Sequence, residues 1–193
     1  VYGPIAETIK TQRLVLEPLA VHHADEMAAV LDDPRLHRFI GGEPLTRDEL
    51  RARYEHLVAG PAPFHQEYWL NWIVRRARDG QAVGYVQATV TPAPPAYAVT
   101  PAAEGSTVTP SPRTLASVAW VVGMPYQGFG FATEAARALL AWLREHGVAE
   151  IVASVHPDNR SSAAVTAKAG LRPTPERADD EIIWRLPRGG LNK

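Results

Sequence analysis

Trp120-Val121-Val122-Gly123-Met124-Pro125-Tyr126-Gln127-Gly128-Phe129-Gly130-Phe131-Ala132-Thr133-Glu134-Ala135 is the stretch whose reading decides the fold. An apolar, β-prone run comes first. A turn containing Gly123 and Pro125 follows, then two glycines one residue apart, then a helical pattern. Strand, glycine loop and helix together aim free backbone N–H groups at an anion. The first N–H groups of a helix lack intrahelical partners, and the aligned peptide dipoles make that end positive. Glycine permits a close approach and a turn that a Cβ would block. The spacing therefore predicts that residues 127–132 hold a phosphate or pyrophosphate; taken alone, the loop is equally well read as a glycine-rich turn that merely starts a helix. A P-loop is excluded, because no lysine or arginine falls between Gly123 and Arg137. The dinucleotide pattern Gly-x-Gly-x-x-Gly fails at its last position, where Thr133 stands.

Downstream, a helix from about Phe131 to His146 places Ala135, Ala138, Leu139 and Trp142 on one core face, with Gly147 as its stop. Glu150 to Val155 reads as a buried strand. Strand, helix and strand in this order predict a βαβ unit with parallel neighbours. His156-Pro157-Asp158-Asn159-Arg160-Ser161-Ser162 then leads into an alanine-rich helix over Ala163 to Ala169, a proline-rich turn at 173–175 and a last strand at Ile182 to Leu186.

Upstream of the strand Thr114 to Val122, residues 91–113 are rich in Thr, Pro, Ala, Gly and Ser and form a long proline-rich loop between two strands. Within it Tyr97 and Val99 could make a small edge hairpin with Val108. Tyr68 to Val74 and Ala82 to Val90 are strands of an antiparallel hairpin turned at Arg78-Asp79-Gly80-Gln81. Trp69 and Trp72 fall on opposite faces of the first, which suggests core and cross-strand packing, with substrate-pocket lining as the alternative. Thr46 and Glu49 make a capping box for a helix with Leu50, Tyr54, Leu57 and Val58 on one side. Shorter helical runs precede it: one from His22-His23 through Leu31, and one from Arg35 to Ile40. Thr11 to Leu19 is the first strand signal; residues 1–10 read as a loose leader, and 11–193 as a single domain.

Composition agrees with one soluble globular domain. With 193 residues, the chain can bury about 70% of its unfolded surface. Hydrophobic content of 46% and a net charge of −1 leave no footprint for nucleic acid or an anionic membrane. No apolar run reaches transmembrane length and no signal-peptide pattern opens the chain, so the cytoplasm is the default expectation. The absence of cysteine excludes disulfides, thiolate metal sites and a cysteine acyl-enzyme, and no metal site is expected. A homodimer stays open.

Three stretches, in order, resemble one family. Gln127-x-x-Gly130-x-Ala132 resembles the Gln/Arg-x-x-Gly-x-Gly/Ala loop of the GNAT acyltransferases, which cradles the pyrophosphate of acetyl-CoA. Thr11-x-Arg13-Leu14-x-Leu16-x-Pro18 looks like the opening of its ribosomal-protein N-terminal acetyltransferase branch. Asn159-Arg160-Ser161-Ser162 with Lys168-Ala169-Gly170-Leu171 looks like that branch's Asn-x-x-Ser…Lys-x-Gly-Phe segment, with Leu171 in place of Phe. The resemblance implies an α+β, three-layer fold: a mixed, splayed sheet flanked by helices, opened between the strands ending at Val122 and Val155. It implies that acetyl-CoA is co-substrate and that a primary amine, a protein N-terminus or a small molecule, attacks it directly. The pantetheine arm would lie along Trp120, Val121 and Val122. Its pyrophosphate would meet Gln127, Gly128, Phe129, Gly130, Phe131 and Ala132. Asn159 and Ser162 would border the pantetheine, with Ser162 able to protonate the leaving thiolate.

The sequence also departs from the family. Where many relatives carry a glutamate base at the start of the strand before the loop, Ser117 stands here. A tyrosine acid after the last helix is replaced by Leu171-Arg172-Pro173. The general base is therefore unassigned, with Glu67, His65 and His156 as candidates; His156 is as readily a turn residue before Pro157. Glu134, in the first helical turn, reads as a dipole-complementing carboxylate. Two alternatives remain: an acyl-CoA-binding sensor or interaction module without catalysis, and a nucleotide-binding α/β protein.

Overall fold

The computed structural model describes residues 4–93 and 113–188. Among them β1 (Ile9–Lys10), β2 (Leu14–Pro18), β3 (Tyr68–Arg76), β4 (Ala82–Pro92), β5 (Thr114–Val122), β6 (Glu150–Val155), β7 (Arg172–Ala178) and β8 (Glu181–Arg185) form one sheet, ordered β1-β2-β3-β4-β5-β6-β8-β7. Helices α1 (Ala24–Val30), α2 (Pro34–Ile40) and α3 (Arg47–Ala59) precede β3; α4 (Phe131–Glu145) follows β5 and α5 (Arg160–Lys168) follows β6. This is the α+β, three-layer arrangement that the resemblance implies, with five α-helices among the described residues around a mixed sheet.

Strand alternation sorts the two layers. Leu70, Trp72 and Val74 of β3, Val86, Ala88 and Val90 of β4, and Ala116 and Val118 of β5 bury against Ala135, Ala136, Leu139, Leu140 and Leu143 of α4. On the other face Ile73 meets Met27 of α1 and Leu50 and Tyr54 of α3. Trp72 is fully buried, meets the ring of Trp142 edge-on at 5.2 Å, and donates its indole N–H to the Glu7 carbonyl at 2.7 Å. Trp69 lies on the opposite face against His56 of α3, with ring centroids 5.1 Å apart. The capping box of α3 is present: the Thr46 hydroxyl accepts from the Glu49 N–H, and the Glu49 carboxylate accepts from the Thr46 N–H at 2.8 Å.

Four local expectations are corrected. The leader is not loose at its end: Ile9 and Lys10 pair with Leu16 and Val15, and Ala6 and Ile9 pack on the core. Too few residues are involved to leave an alternating pattern. Residues 173–175 are part of β7 rather than a turn, with the register shifting between Pro173 and Arg177. As the outermost strand, β7 tolerates prolines because half of its N–H groups have no ladder to join. Helix α5 begins at Arg160, before the alanine run, because Asn159 caps it. Thr91 and Pro92, expected in the loop, instead extend β4 and pair with Leu115 and Thr114, and the ladder closes with the Ala93 N–H on the Arg113 carbonyl at 2.7 Å. Tyr97, Val99 and Val108 lie outside the described residues.

The functional geometry comes from one break in the sheet. β5 and β6 run parallel but pair only at Leu115–Glu150, Ala116–Ile151 and Ser117–Val152. Beyond that point β5 stays with β4 through Val122, while β6 follows β8 through Val155. A wedge opens between them, as the resemblance implies. No helix among the described residues is long and apolar enough to cross a membrane.

Candidate functional site

One wall of the wedge is the unpaired edge of β5. The Gly123 N–H donates to the Val83 carbonyl at 2.9 Å, and the β4–β5 register is unbroken from there. In an antiparallel ladder the direction of the backbone groups alternates, so those of Ala119 and Val121 point to β4, and those of Val118, Trp120 and Val122 point into the wedge. Of the three residues expected to meet a ligand strand, Trp120 and Val122 therefore present their backbone, while Val121 is committed to β4. Gln127 folds back and donates its side-chain amide to the Val122 carbonyl at 2.9 Å.

The glycine loop closes the top of that edge. Gly123 packs on the end of α1, where a Cβ would lie 2.8 Å from the Val30 carbonyl. Gly128 and Gly130 have φ of 83° and 80°, in the left-handed region that other L-residues resist. Gly130 is the N-cap of α4 and supplies no side-chain cap. Among the described residues, the N–H groups of Gly128, Phe129, Gly130, Phe131 and Ala132 have no protein acceptor, which is the condition for anion binding at a helix start. Phe131 is buried and anchors the helix, and exposed Phe129 stacks on it at 5.9 Å.

Glu134 serves structure at this loop. Its Oε1 accepts from the Thr11 hydroxyl at 2.6 Å and the Arg13 N–H at 2.8 Å, and its Oε2 from Arg13 Nε at 2.7 Å. Burial alone would raise this carboxyl; the hydrogen bonds from Thr11 and Arg13 outweigh it and hold the group below its ordinary range. Arg13 also donates Nη1 to the Phe129 carbonyl at 2.8 Å and lies over the Phe131 ring at 5.0 Å. The Thr11-x-Arg13 motif thus touches the Gln127–Ala132 motif directly.

The opposite wall is β6 and the start of α5. The Leu186 N–H donates to the Ile151 carbonyl at 2.9 Å, so by alternation Val152 and Ser154 present their backbone toward β5. Asn159 caps α5 by accepting the Ser162 N–H on Oδ1 at 3.1 Å, which leaves its amide N–H groups as donors. Ser162 is half-buried, and among the described residues its hydroxyl has no hydrogen-bond partner. His156 is used in the turn, its Nδ1 accepting the Asp158 N–H at 3.2 Å, and its ring meets Phe39 of α2 at 5.5 Å. Through Val30 against Gly123 and Phe39 against His156, the α1–α2 segment spans the wedge from the end of β5 to the end of β6.

On the α1–α3 face, cross-strand rows run Ile73–Tyr85–Val121, Asn71–Gln87–Ala119 and Trp69–Thr89–Ser117. A cavity of about 180 Å³ sits over the first two rows. Leu31, Ile40, Leu45, Leu50 and Leu57 supply apolar walls, while Asn71, Tyr85, Gln87, His37 and Arg53 supply polar groups. Burial pushes the hydroxyls of Tyr54 and Tyr85 up, so both stay protonated donors. Ser117 is exposed at the end of the third row. Glu67 flanks that row, its Oε1 accepting the Trp69 indole N–H at 3.0 Å with His65 Nδ1 at 3.8 Å. The cavity residues come from separate helices and strands, so no single stretch of sequence marks the whole group. No cluster of His, Asp or Glu among the described residues could hold a metal ion.

Residues 13–172 match the acetyltransferase (GNAT) domain. An acetyltransferase (GNAT family) from Bacillus anthracis has the same fold, with a TM-score of 0.68 at 18% identity over 93% of this chain and 98% of that one. An acetyltransferase from Agrobacterium tumefaciens str. C58 aligns with a TM-score of 0.65 at 25% identity, over 97% of this chain and 98% of that one. AAC(6')-Ib, solved with parmomycin and acetyl-CoA, aligns with a TM-score of 0.65 at 18% identity, over 92% of this chain and 94% of that one. No curated protein matches the chain in sequence. The domain match takes in β2 through the start of β7, so the wedge, the glycine loop and the helix behind it all fall within it, and the chain belongs to the GNAT acetyltransferase family, whose enzymes use acetyl-CoA as co-substrate.

Proposed function

We propose that the protein transfers the acetyl group of acetyl-CoA to a primary amine bound over the α1–α3 face. The observation that carries this reading is the half-paired β5: fully laddered to β4, yet open to the wedge at Val118, Trp120 and Val122. An extended amide chain such as pantetheine can add there as a strand, through the N–H groups of Trp120 and Val122. The free N–H groups of residues 128–132 would then take its pyrophosphate, and the Asn159 amide would donate from the other wall. When bound, the thioester supplies the activated acetyl carbonyl.

The residues of the chain divide the remaining work. Asn71, Gln87 and Ser117 are neutral, so they orient an amine without taking its proton. In this reading Glu67 takes that proton through water, since His156 Nδ1 is already an acceptor in its turn. Ser162, with its hydroxyl unbonded, donates toward the leaving thiolate. The apolar walls of the cavity fit an acceptor that presents an aliphatic or aromatic group beside its amine. AAC(6')-Ib, held with both acetyl-CoA and parmomycin, offers a precedent within this fold for an amine-bearing acceptor.

A second reading rests on Ser117, which stands where a carboxylate base was expected: the chain binds acyl-CoA without turning it over. Titration calorimetry with acetyl-CoA, run beside thiol release against a panel of amino-terminal peptides and small amines, separates the two. Binding with amine-dependent thiol release is the expected outcome. Binding with no release across the panel leaves the sensor reading, and no binding removes both.

A further inference from the structure

The glycine loop carries no positive charge of its own. No lysine or arginine lies between Gly123 and Arg137, and Gln127 uses its amide on the Val122 carbonyl. The one carboxylate in the first turn of α4, Glu134, is an anion beside a proposed anion site. A cation is nevertheless delivered from far away in sequence. Arg13 places Nη1 on the Phe129 carbonyl at 2.8 Å and Nε on Glu134 at 2.7 Å, and its Nη2 lies 3.4 Å from where a Cβ on Gly130 would be. The ring of Phe131 lies beneath the guanidinium.

We propose that Arg13 is a positioning residue for the pyrophosphate of acetyl-CoA, acting through the Phe129–Gly130 peptide; this rests on the reading that the loop binds that group. A peptide is planar and trans, so its C=O and N–H point in opposite directions. A guanidinium fixed on the Phe129 carbonyl therefore fixes the Gly130 N–H as well, and aims it away from Arg13. The charge-assisted hydrogen bond polarises the amide, which makes that N–H a stronger donor. The same guanidinium offsets the charge of Glu134, so the helix start keeps its positive character. Glu134 in turn holds the guanidinium in place, since Thr11 and the Arg13 N–H fix its carboxylate. The planar arginine fork engages the carbonyl and the carboxylate at once from separate nitrogens, a geometry that the single ammonium of lysine cannot reproduce. The loop thus borrows its charge from the strand side of the sheet.

The test compares CoA with pantetheine, which has no pyrophosphate, by titration calorimetry on the wild type, Arg13→Gln and Thr11→Val. For Arg13→Gln, the affinity for CoA is expected to fall about tenfold, the loss of one charge-assisted contact. Its affinity for pantetheine should stay within about twofold, and its CoA binding should weaken less steeply with added salt. Thr11→Val removes one brace of Glu134 but keeps the Arg13 N–H, Nε and Nη1 contacts; it should lower the melting temperature and weaken CoA clearly less than Arg13→Gln does. If Arg13→Gln weakens CoA and pantetheine equally, or Thr11→Val matches its effect on CoA, Arg13 is merely structural and the proposal falls. Should Arg13→Gln not fold, Arg13→Lys, which keeps the charge and loses the fork, reads the same difference: CoA weaker by about threefold with pantetheine unaffected supports the role, and equal losses overturn it. Unchanged CoA affinity in a folded variant overturns the role of Arg13 alone. A wild type that binds no CoA overturns the underlying reading with it.

Discussion

Gly84→Ala tests how the position of β5 governs the wedge. Gly84 pairs with Val122, and a Cβ built on it would lie 2.1 Å from the Val121 carbonyl oxygen, 2.9 Å from the Val122 Cα and 3.0 Å from the Val121 carbonyl carbon. All three are backbone atoms, so no side chain can rotate away. Real Cβ atoms essentially never come within 3.0 Å, so the strands must part by about 0.9 Å at this pair. Overpacking of this kind costs about 1–3 kcal/mol. At about 2–4 °C per kcal/mol for a domain of this size, the melting temperature should drop by about 2–12 °C. The displacement falls on Val122, whose N–H faces the wedge, and a misplacement near 1 Å can cost on the order of 100-fold in rate. Thermal unfolding and steady-state acetyl transfer read the two effects. Gly80→Ala is the control: its φ is 72°, nothing lies within 4 Å of its Cβ, and it sits in the β3–β4 turn. It should destabilise modestly and leave turnover intact. A Gly84→Ala protein with the wild-type melting temperature and turnover would refute the reasoning.

Three further outcomes are expected. Gly130→Glu strains a left-handed residue and places a carboxylate at the loop, so calorimetric CoA binding should vanish in a protein that still folds; retained affinity would sink the loop assignment. Ser162→Ala should slow turnover more than it weakens CoA binding, and a variant with full turnover would remove its proposed acid role. The Glu134 carboxyl is held below its ordinary value of 4.5, so its contribution to stability is complete above that pH and is lost as pH falls through the depressed folded value. Urea unfolding at stepped pH should show wild type and Glu134→Gln converging under acid conditions; a constant gap between them would contradict the clamp.

The elements legible in the sequence were those with a strong local period. The bounds of β5, α4 and β6 were readable because β-branched runs and a core-facing helical stripe leave marks within a few residues. The break between β5 and β6 was legible only through the family resemblance. It depends on β8 pairing with β6 from the far end of the chain, which no local pattern records. β1 was too short to signal, and the prolines of β7 spoke for a turn because their tolerance depends on being at an edge. The site divides in the same way. Motifs mark Gln127, Gly130 and Asn159, whereas the contact between Arg13 and Glu134, 121 positions apart, leaves no local signal. The place of Tyr85, Asn71 and Gln87 in the cavity leaves no local mark, because strand alternation and the helices over the sheet assemble it. Sequence position alone groups Val121 with Trp120 and Val122, and only the phase of the β4–β5 ladder shows that its backbone points the other way.

The seam of three residue pairs between β5 and β6 has a consequence for how the molecule comes apart. On one side lie β1 to β5; on the other, β6, β8 and β7 are joined to one another by antiparallel ladders and to the rest chiefly by side-chain packing in the shared core. Regions joined by few backbone bonds open at lower free energy than the whole, so the three C-terminal strands are expected to exchange their amide protons faster than β3 to β5. A ligand laid along both walls would bridge the two parts, and its binding energy would add to their cohesion. Protection gained on saturation with CoA should therefore extend into β6 and β8, well beyond the atoms that touch the ligand.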